Sequence, residues 1–208
     1  MGQLILLRHG QSIWNRDNIF TGWKDVALSG LGEDEARVAG QKIKVFLDKT
    51  PTVELGPVFC SVLKRAIDTA KIALEAAGLA SYELICDASL NERGYGELEG
   101  KNKDETRRLF GAEQVALWRR SYDIRPPGGE SLKDTCERVL PYYRAKIWPL
   151  VQAGQTILVV AHGNSLRGLI RDIEGLNGDQ IAKVEVPTGV PLVYVFSGSG
   201  EFVGKTVL

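Results

Sequence analysis

A chain of 208 residues with 44% hydrophobic and 25% charged side chains has the make-up of a globular domain that can bury a substantial core. Lysine plus arginine balance aspartate plus glutamate at 26 each, so no overall field attracts nucleic acid or an acidic membrane surface, and any anion site must be built locally. The first apolar run, LILL, is too short for a signal segment or a membrane span and nothing later approaches spanning length, so neither membrane nor nucleic-acid partners are expected and the location expected is cytoplasmic.

Short apolar runs with strand character recur at QLILLRH, GPVFCS, YELICD, QTILVVAH and PLVYVFS, with helical periodicity between most of them. That alternation predicts an α/β domain, and strands that are nearly all apolar predict a mostly parallel central sheet covered by helices on both faces. After the first strand, Ala36, Ala39, Ile43, Phe46 and Leu47 form one helical stripe, with Ser29 as its expected cap. After the second, Leu63, Ile67, Ala70 and Leu74 form another, capped by Ser61 and carrying Lys64 and Arg65 in its first turn. The polar stretch from NERGYG to RRSYDIRPPGG reads as irregular, with one helix around EQVALWRR. Beyond it, Leu132, Cys136, Val139, Tyr143, Ile147 and Leu150 make a third stripe. Ser131 with Asp134 resembles a capping box there, and Pro141 is expected to kink or break the helix. No repeat, linker or composition shift divides residues 1–208, so a single domain is expected. Cys60, Cys86 and Cys136 lie far apart without a CxxC pair, which fits buried reduced thiols.

In sheets of this kind ligands bind beyond the carboxyl ends of the strands. RHG follows the first strand, CSVLKRA the second, NER the region of the third and AHGN the fourth, so all four are expected to converge on one crevice. The chain's two histidines, His9 and His162, both stand at strand ends and both precede a glycine, which lets backbone approach a bound group. Around them Arg8, Arg65, Lys103, Arg119 and Arg120 describe an anion pocket suited to phosphate and carboxylate oxygens. These cations should depress the pKa of His9, and a neutral imidazole with one free nitrogen is what a nucleophile needs. A backbone carbonyl accepting from the other ring nitrogen would fix the tautomer. Glu92 is the best candidate for proton transfer, its plainer reading being a salt bridge to Arg93. Asp172, Glu174 and Asp179 lack EF-hand spacing, GLNGD reads as a turn, and no metal is expected.

Together RHGQSIWN, FTGWKDVALSGLG, LKRAIDTA, LNERGYG, WRRSYDIRPP, ESLKDT, RVLPYY and AHGNSLRGLI resemble the cofactor-dependent phosphoglycerate mutases of the histidine phosphatase superfamily. RHG alone marks the superfamily; FTGW, NER, WRR and PTGVPLVY point to the mutase branch. The resemblance implies interconversion of 3-phosphoglycerate and 2-phosphoglycerate in glycolysis and gluconeogenesis, primed by 2,3-bisphosphoglycerate, with His9 as the nucleophile that becomes phosphohistidine. By the same resemblance Arg8, Arg65 and His162 cradle the transferring phosphoryl group, and Glu92 donates and accepts the proton. Gln11, Ser12, Asn15, Thr21, Gly22, Tyr95, Lys103, Arg119, Arg120, Gly163 and Asn164 would position the substrate, with Arg119 and Arg120 on its distal anionic groups.

The chain departs from the family pattern at Gly94, where a bulky residue is common, and at Lys101, where an apolar one is. The glycine is expected to loosen the wall around Tyr95. An additional segment carried by larger members between the counterparts of RSYDIRPP and GGESLKDT is missing, which points to a monomer or weak homodimer. A shorter tail after GEFVGKTVL points to less cover over the site and more loss of phosphate to water. The rival readings are a phosphatase of the same superfamily, which has no need of the distal anchor, and a catalytically silent binding protein, which predicts damage to RHG, NER or AHGN.

Overall fold

All five apolar runs become strands of one sheet in the computed structural model, which describes residues 1–49 and 54–208. They are β1 (Gly2–Arg8), β2 (Leu55–Cys60), β3 (Leu84–Cys86), β4 (Thr156–Ala161) and β5 (Pro191–Phe196). A sixth strand, β6 (Phe202–Val207), was not expected. Its residues are mostly exposed and lack clean alternation, because it is an edge strand held by a hairpin to β5 and marked by Lys205. The order is β3-β2-β4-β1-β5-β6. β3, β2, β4 and β1 run parallel, whereas β5 and β6 are antiparallel additions.

Successive residues of the central strands serve opposite faces. Ile5, Leu7, Leu158 and Val160 pack against α2 (Gly30–Lys49) and α3 (Lys64–Ala76), while Leu4, Leu6, Ile157 and Val159 pack against α6 (Leu132–Tyr142) and a helix that follows β4. This two-sided burial is why these strands carry no polar alternation, and each fully buried Leu or Ile stabilises the fold by roughly 1.5–3 kcal/mol. The chain leaves β1 in one direction, towards β2, and leaves β4 in the other, towards β5; the crevice between these departures is the topological switch point of the sheet.

Local signals were borne out unevenly. Ser29 Oγ accepts from Gly32 N as a cap should, and Ser131 with Asp134 forms the capping box of α6. Ser61 does not cap α3: Leu63 holds that position without a side-chain bond, and the Ser61 hydroxyl accepts only from Leu63 N at 3.3 Å, ahead of the helix, while also meeting His162. Pro141 does not break α6, which runs through to Tyr142; the irregularity is a π-helical turn at Tyr143–Ile147, ahead of the second proline, Pro149, in α7 (Trp148–Gln152). The polar middle holds two helices rather than one, α4 (Lys103–Phe110) and α5 (Ala112–Arg120), after the short α1 (Ile13–Arg16) near the chain start. α4 buries only Thr106, so it shows almost no apolar stripe; its legible signal is the Asn102 cap followed by Asp104 and Glu105. GLNGD reverses the chain between α8 (Gly163–Glu174) and α9 (Gly178–Lys183), with Gly175 ending one and Asn177 capping the other. The three cysteines are free, but Cys86 is exposed on the edge strand rather than buried.

Candidate active site

Strand register assembles the site. Arg8 pairs with Ala161 across β1 and β4, so the next residues, His9 and His162, lie side by side with ring centroids 4.9 Å apart. Cys60 pairs with Val160, which brings Ser61 Oγ to 2.6 Å from His162 Nε2.

His9 is 2% exposed, and its Nδ1 lies 2.6 Å from the carbonyl oxygen of Gly10. A carbonyl only accepts, so the proton sits on Nδ1 and Nε2 keeps its lone pair. Gly10 can stand there because it faces Gly32: a Cβ on Gly10 would come within 2.1 Å of the Gly32 carbonyl. Burial first, then the charges of Arg65 and Arg8, push the His9 pKa well below the ordinary histidine range, so the imidazole is neutral. His162, fully buried, is held neutral by the same causes.

Arg65 is 1% exposed and reaches from the first turn of α3 to Gly22 O (2.8 Å), Lys24 O (3.0 Å) and His9 Nε2 (3.3 Å). Burial lowers its pKa to about 10, which leaves it charged at neutral pH. Gly22 adopts a left-handed φ of 55°, and a side chain there would collide with Glu99. Arg8 donates through Nη1 to Val186 O at 2.8 Å, while its buried Nε has no protein partner. Such an orphan donor costs about 1–3 kcal/mol unless a bound oxygen meets it.

Glu92 does not pair with Arg93. Its Oε1 accepts from the backbone N–H groups of Arg93 (2.8 Å) and Asn164 (3.0 Å), while the Arg93 guanidinium serves Tyr95 Oη and Arg119 O. The main-chain oxygen of Glu92 accepts from Trp23 Nε1 at 2.6 Å and from Arg138 Nη2 at 3.2 Å. Arg138, itself paired with Glu130, also donates to the carbonyls of Ala88, Ser89 and Asn91 and so clamps the whole loop that presents Glu92.

These groups surround a cavity of about 250 Å³. That lies just below the ~300–1,000 Å³ of typical small-molecule sites and suits a short phosphate ester better than a nucleotide. Arg8, His9, Asn15, Thr21, Gly22, Arg65, Glu92, Tyr95, Lys103, Arg119, Arg120, Gly163 and Asn164 all line it, as expected. His162, Gln11 and Ser12 do not. His162 is fully buried and packs its ring at a tilt against that of His9, Gln11 is tied to Ser29 and Glu35, and Ser12 caps α1 in a reciprocal pair with Asn15. The wall at Tyr95 is not loosened by Gly94: the phenol accepts from Arg93 at 2.9 Å and the ring packs on Phe20 at 5.0 Å. Arg167 and Glu185 also line the cavity and were not foreseen; nothing local sets them apart from surface charges. Among the described residues no group of three or more histidine, cysteine or carboxylate side chains gathers as a metal site would, and no helix is long and apolar enough to cross a membrane.

The model of the histidine phosphatase superfamily, branch 1, matches residues 4–204. A phosphoglycerate mutase of Schizosaccharomyces pombe is 52% identical over 205 residues, covering 99% of this chain and 95% of the relative. A 2,3-bisphosphoglycerate-dependent phosphoglycerate mutase of a Chelativorans strain is 53% identical over 207 residues, covering 100% and 98%. The chain belongs to the phosphoglycerate mutase family of the histidine phosphatase superfamily. Among solved structures, the YhfR protein of Bacillus stearothermophilus superposes with a TM-score of 0.81 at 26% identity, over 97% of this chain and 94% of that one. A mycobacterial glucosyl-3-phosphoglycerate phosphatase superposes at 0.78 with 23% identity, over 93% and 92%, which speaks to the fold alone. In this family setting RHG, NER and AHGN stand intact at the carboxyl edge of the sheet.

Proposed function

We propose that the chain interconverts 3-phosphoglycerate and 2-phosphoglycerate, primed by 2,3-bisphosphoglycerate, through a phosphoryl group carried on His9 Nε2. The observation that carries this reading is the union, in one small cavity, of a tautomer-fixed imidazole with a second cation group made of Lys103, Arg119 and Arg120. A phosphatase needs only the first half. The distal cations hold a carboxylate and a second phosphate, and so retain the intermediate until it rebinds in the other orientation. Burial lowers the pKa values of Lys103 and Arg119, but both stay cationic at neutral pH, and partial burial strengthens their hold on anions.

The lone pair of Nε2 attacks phosphorus, the bond from phosphorus to the ester oxygen breaks, and that oxygen takes a proton from the Glu92 carboxyl group. In the return step the Glu92 carboxylate removes a proton from the hydroxyl that attacks the phosphohistidine, and Nε2 leaves with its lone pair. Arg8 and Arg65 neutralise the equatorial oxygens, with the Arg8 Nε donor free to join them, and the α8 N-terminus at Gly163 and Asn164 stands beside them. His162, oriented by Ser61, packs against the His9 ring and so helps to hold it in place. The same residues would hold the primer, whose role is to load His9.

An enolase-coupled assay with and without 2,3-bisphosphoglycerate, on the wild type and on His9→Ala, tests the reading. Turnover that rises on priming and is lost in the variant supports it; phosphate release without 2-phosphoglycerate moves the assignment to a phosphatase.

A further inference from the structure

Glu185 is a carboxylate placed between Arg167 and Arg120, the latter a cation that the mutase reading assigns to the ligand. Its Oε1 lies 2.8 Å from Arg120 Nη2, and its Oε2 3.8 Å from Arg167 Nη2, on the wall of the cavity. The placement is built into the chain on both sides. Val184 O accepts from Arg167 Nε at 2.8 Å and Val186 O accepts from Arg8 Nη1 at 2.8 Å, so two site arginines anchor the backbone flanking Glu185. Val186 is buried, which leaves residue 185 facing outward to the cavity mouth. The pair with Arg120 is solvent-exposed, 43% for the arginine side chain and 69% for the glutamate, and exposed pairs of this kind are weak enough for a ligand dianion to break.

We propose that Glu185 is a specificity-determining counter-anion, which holds Arg120 in the unliganded site and is displaced by the distal anionic group of the substrate. The inference rests on the assignment of Arg120 to that distal group. Glu185 then taxes ligands with two anionic ends and leaves single-ended phosphates untouched. It also offers Arg120 a partner each time the bisphosphate lets go to turn around, which eases reorientation at the expense of retention.

Two unreactive probes test this by calorimetric titration: 3-phosphonopropionate, with an anion at each end, and methylphosphonate, with one. Glu185→Gln keeps the shape and a hydrogen-bond acceptor while removing the charge. It should tighten 3-phosphonopropionate by roughly two- to five-fold, the equivalent of an exposed ion pair, and leave methylphosphonate unchanged. On an Arg120→Ala background the same substitution should have no effect on either probe. If the wild type prefers the two-ended probe and Glu185→Gln changes neither affinity, or tightens both equally, the proposal is overturned while the distal-anchor reading stands. If the wild type shows no preference, both are overturned. Urea unfolding of each variant confirms that folding is intact.

Discussion

Acidification reaches both histidines at once. His9 and His162 are the chain's only histidines, and both are held neutral in the fold, first by burial and then by neighbouring positive charge. A histidine whose folded pKa is depressed binds its proton more readily when unfolded. Its contribution to stability is complete above the unfolded value near 6.5 and is lost as pH falls below it. Each histidine releases about 1.4 kcal/mol per pH unit in that window, so the two together should cost roughly 3 kcal/mol between pH 7.5 and 5.5. Native aspartate pairs such as Asp134 with Arg125 titrate only at lower pH. The Cys86 thiol, brought down to about 7 chiefly by its hydrogen bond with Cys60, would add a slope at the top of the window. The assay is therefore urea unfolding of Cys86→Ser, in buffers free of phosphate or sulfate, because a bound anion would restore the protonated imidazole. The free energy of unfolding should fall steadily from pH 7.5 to 5.5, and His162→Asn should show about half the fall. A flat profile over that range would refute the claim that both imidazoles are buried in their neutral forms.

Three further outcomes follow from named site residues, and a fourth from the missing segment between RSYDIRPP and GGESLKDT. Ser61→Ala removes the partner of a buried His162 nitrogen, and should cost about 1–3 kcal/mol in urea unfolding and lower kcat by up to about 100-fold while barely moving KM. Arg138→Ala unclamps the loop that presents Glu92, so kcat should fall with little change in KM, and loss of protection at residues 88–92 should appear in hydrogen exchange. Arg119→Ala should weaken 3-phosphoglycerate by roughly 10–150-fold, the value of about 1.5–3 kcal/mol for charge-assisted bonds, yet leave binding of orthophosphate almost unchanged. Light scattering should report a monomer or weak dimer; a stable tetramer would contradict this.

What the sequence made legible were groups whose role follows from position on the strands. His9 and His162 each end a nearly all-apolar strand, and one parallel register suffices to bring them together. Arg65 was placed by the stripe of α3, whose first turn points at the same edge. Ser61 has the local bond that capping rules look for, to Leu63 N two residues ahead, but it falls short of the helix, and no local pattern shows that the same hydroxyl meets a histidine 101 residues away. Arg138 looked like any charge on an amphipathic helix; its clamp on the Glu92 loop depends on how α6 crosses that loop, which no local pattern encodes. Arg167 and Glu185 were lost for the same reason, and β6 because a hairpin edge needs little apolar content.

The central claim is that the Nε2 of His9 carries the phosphoryl group. Its most direct test is a quenched incubation with 2,3-bisphosphoglycerate labelled in its phosphates, followed by peptide mapping. The account predicts acid-labile, base-stable label on His9 that chases into phosphoglycerate when unlabelled 3-phosphoglycerate is added. Turnover with no label on His9, or label that 3-phosphoglycerate does not remove, would contradict it.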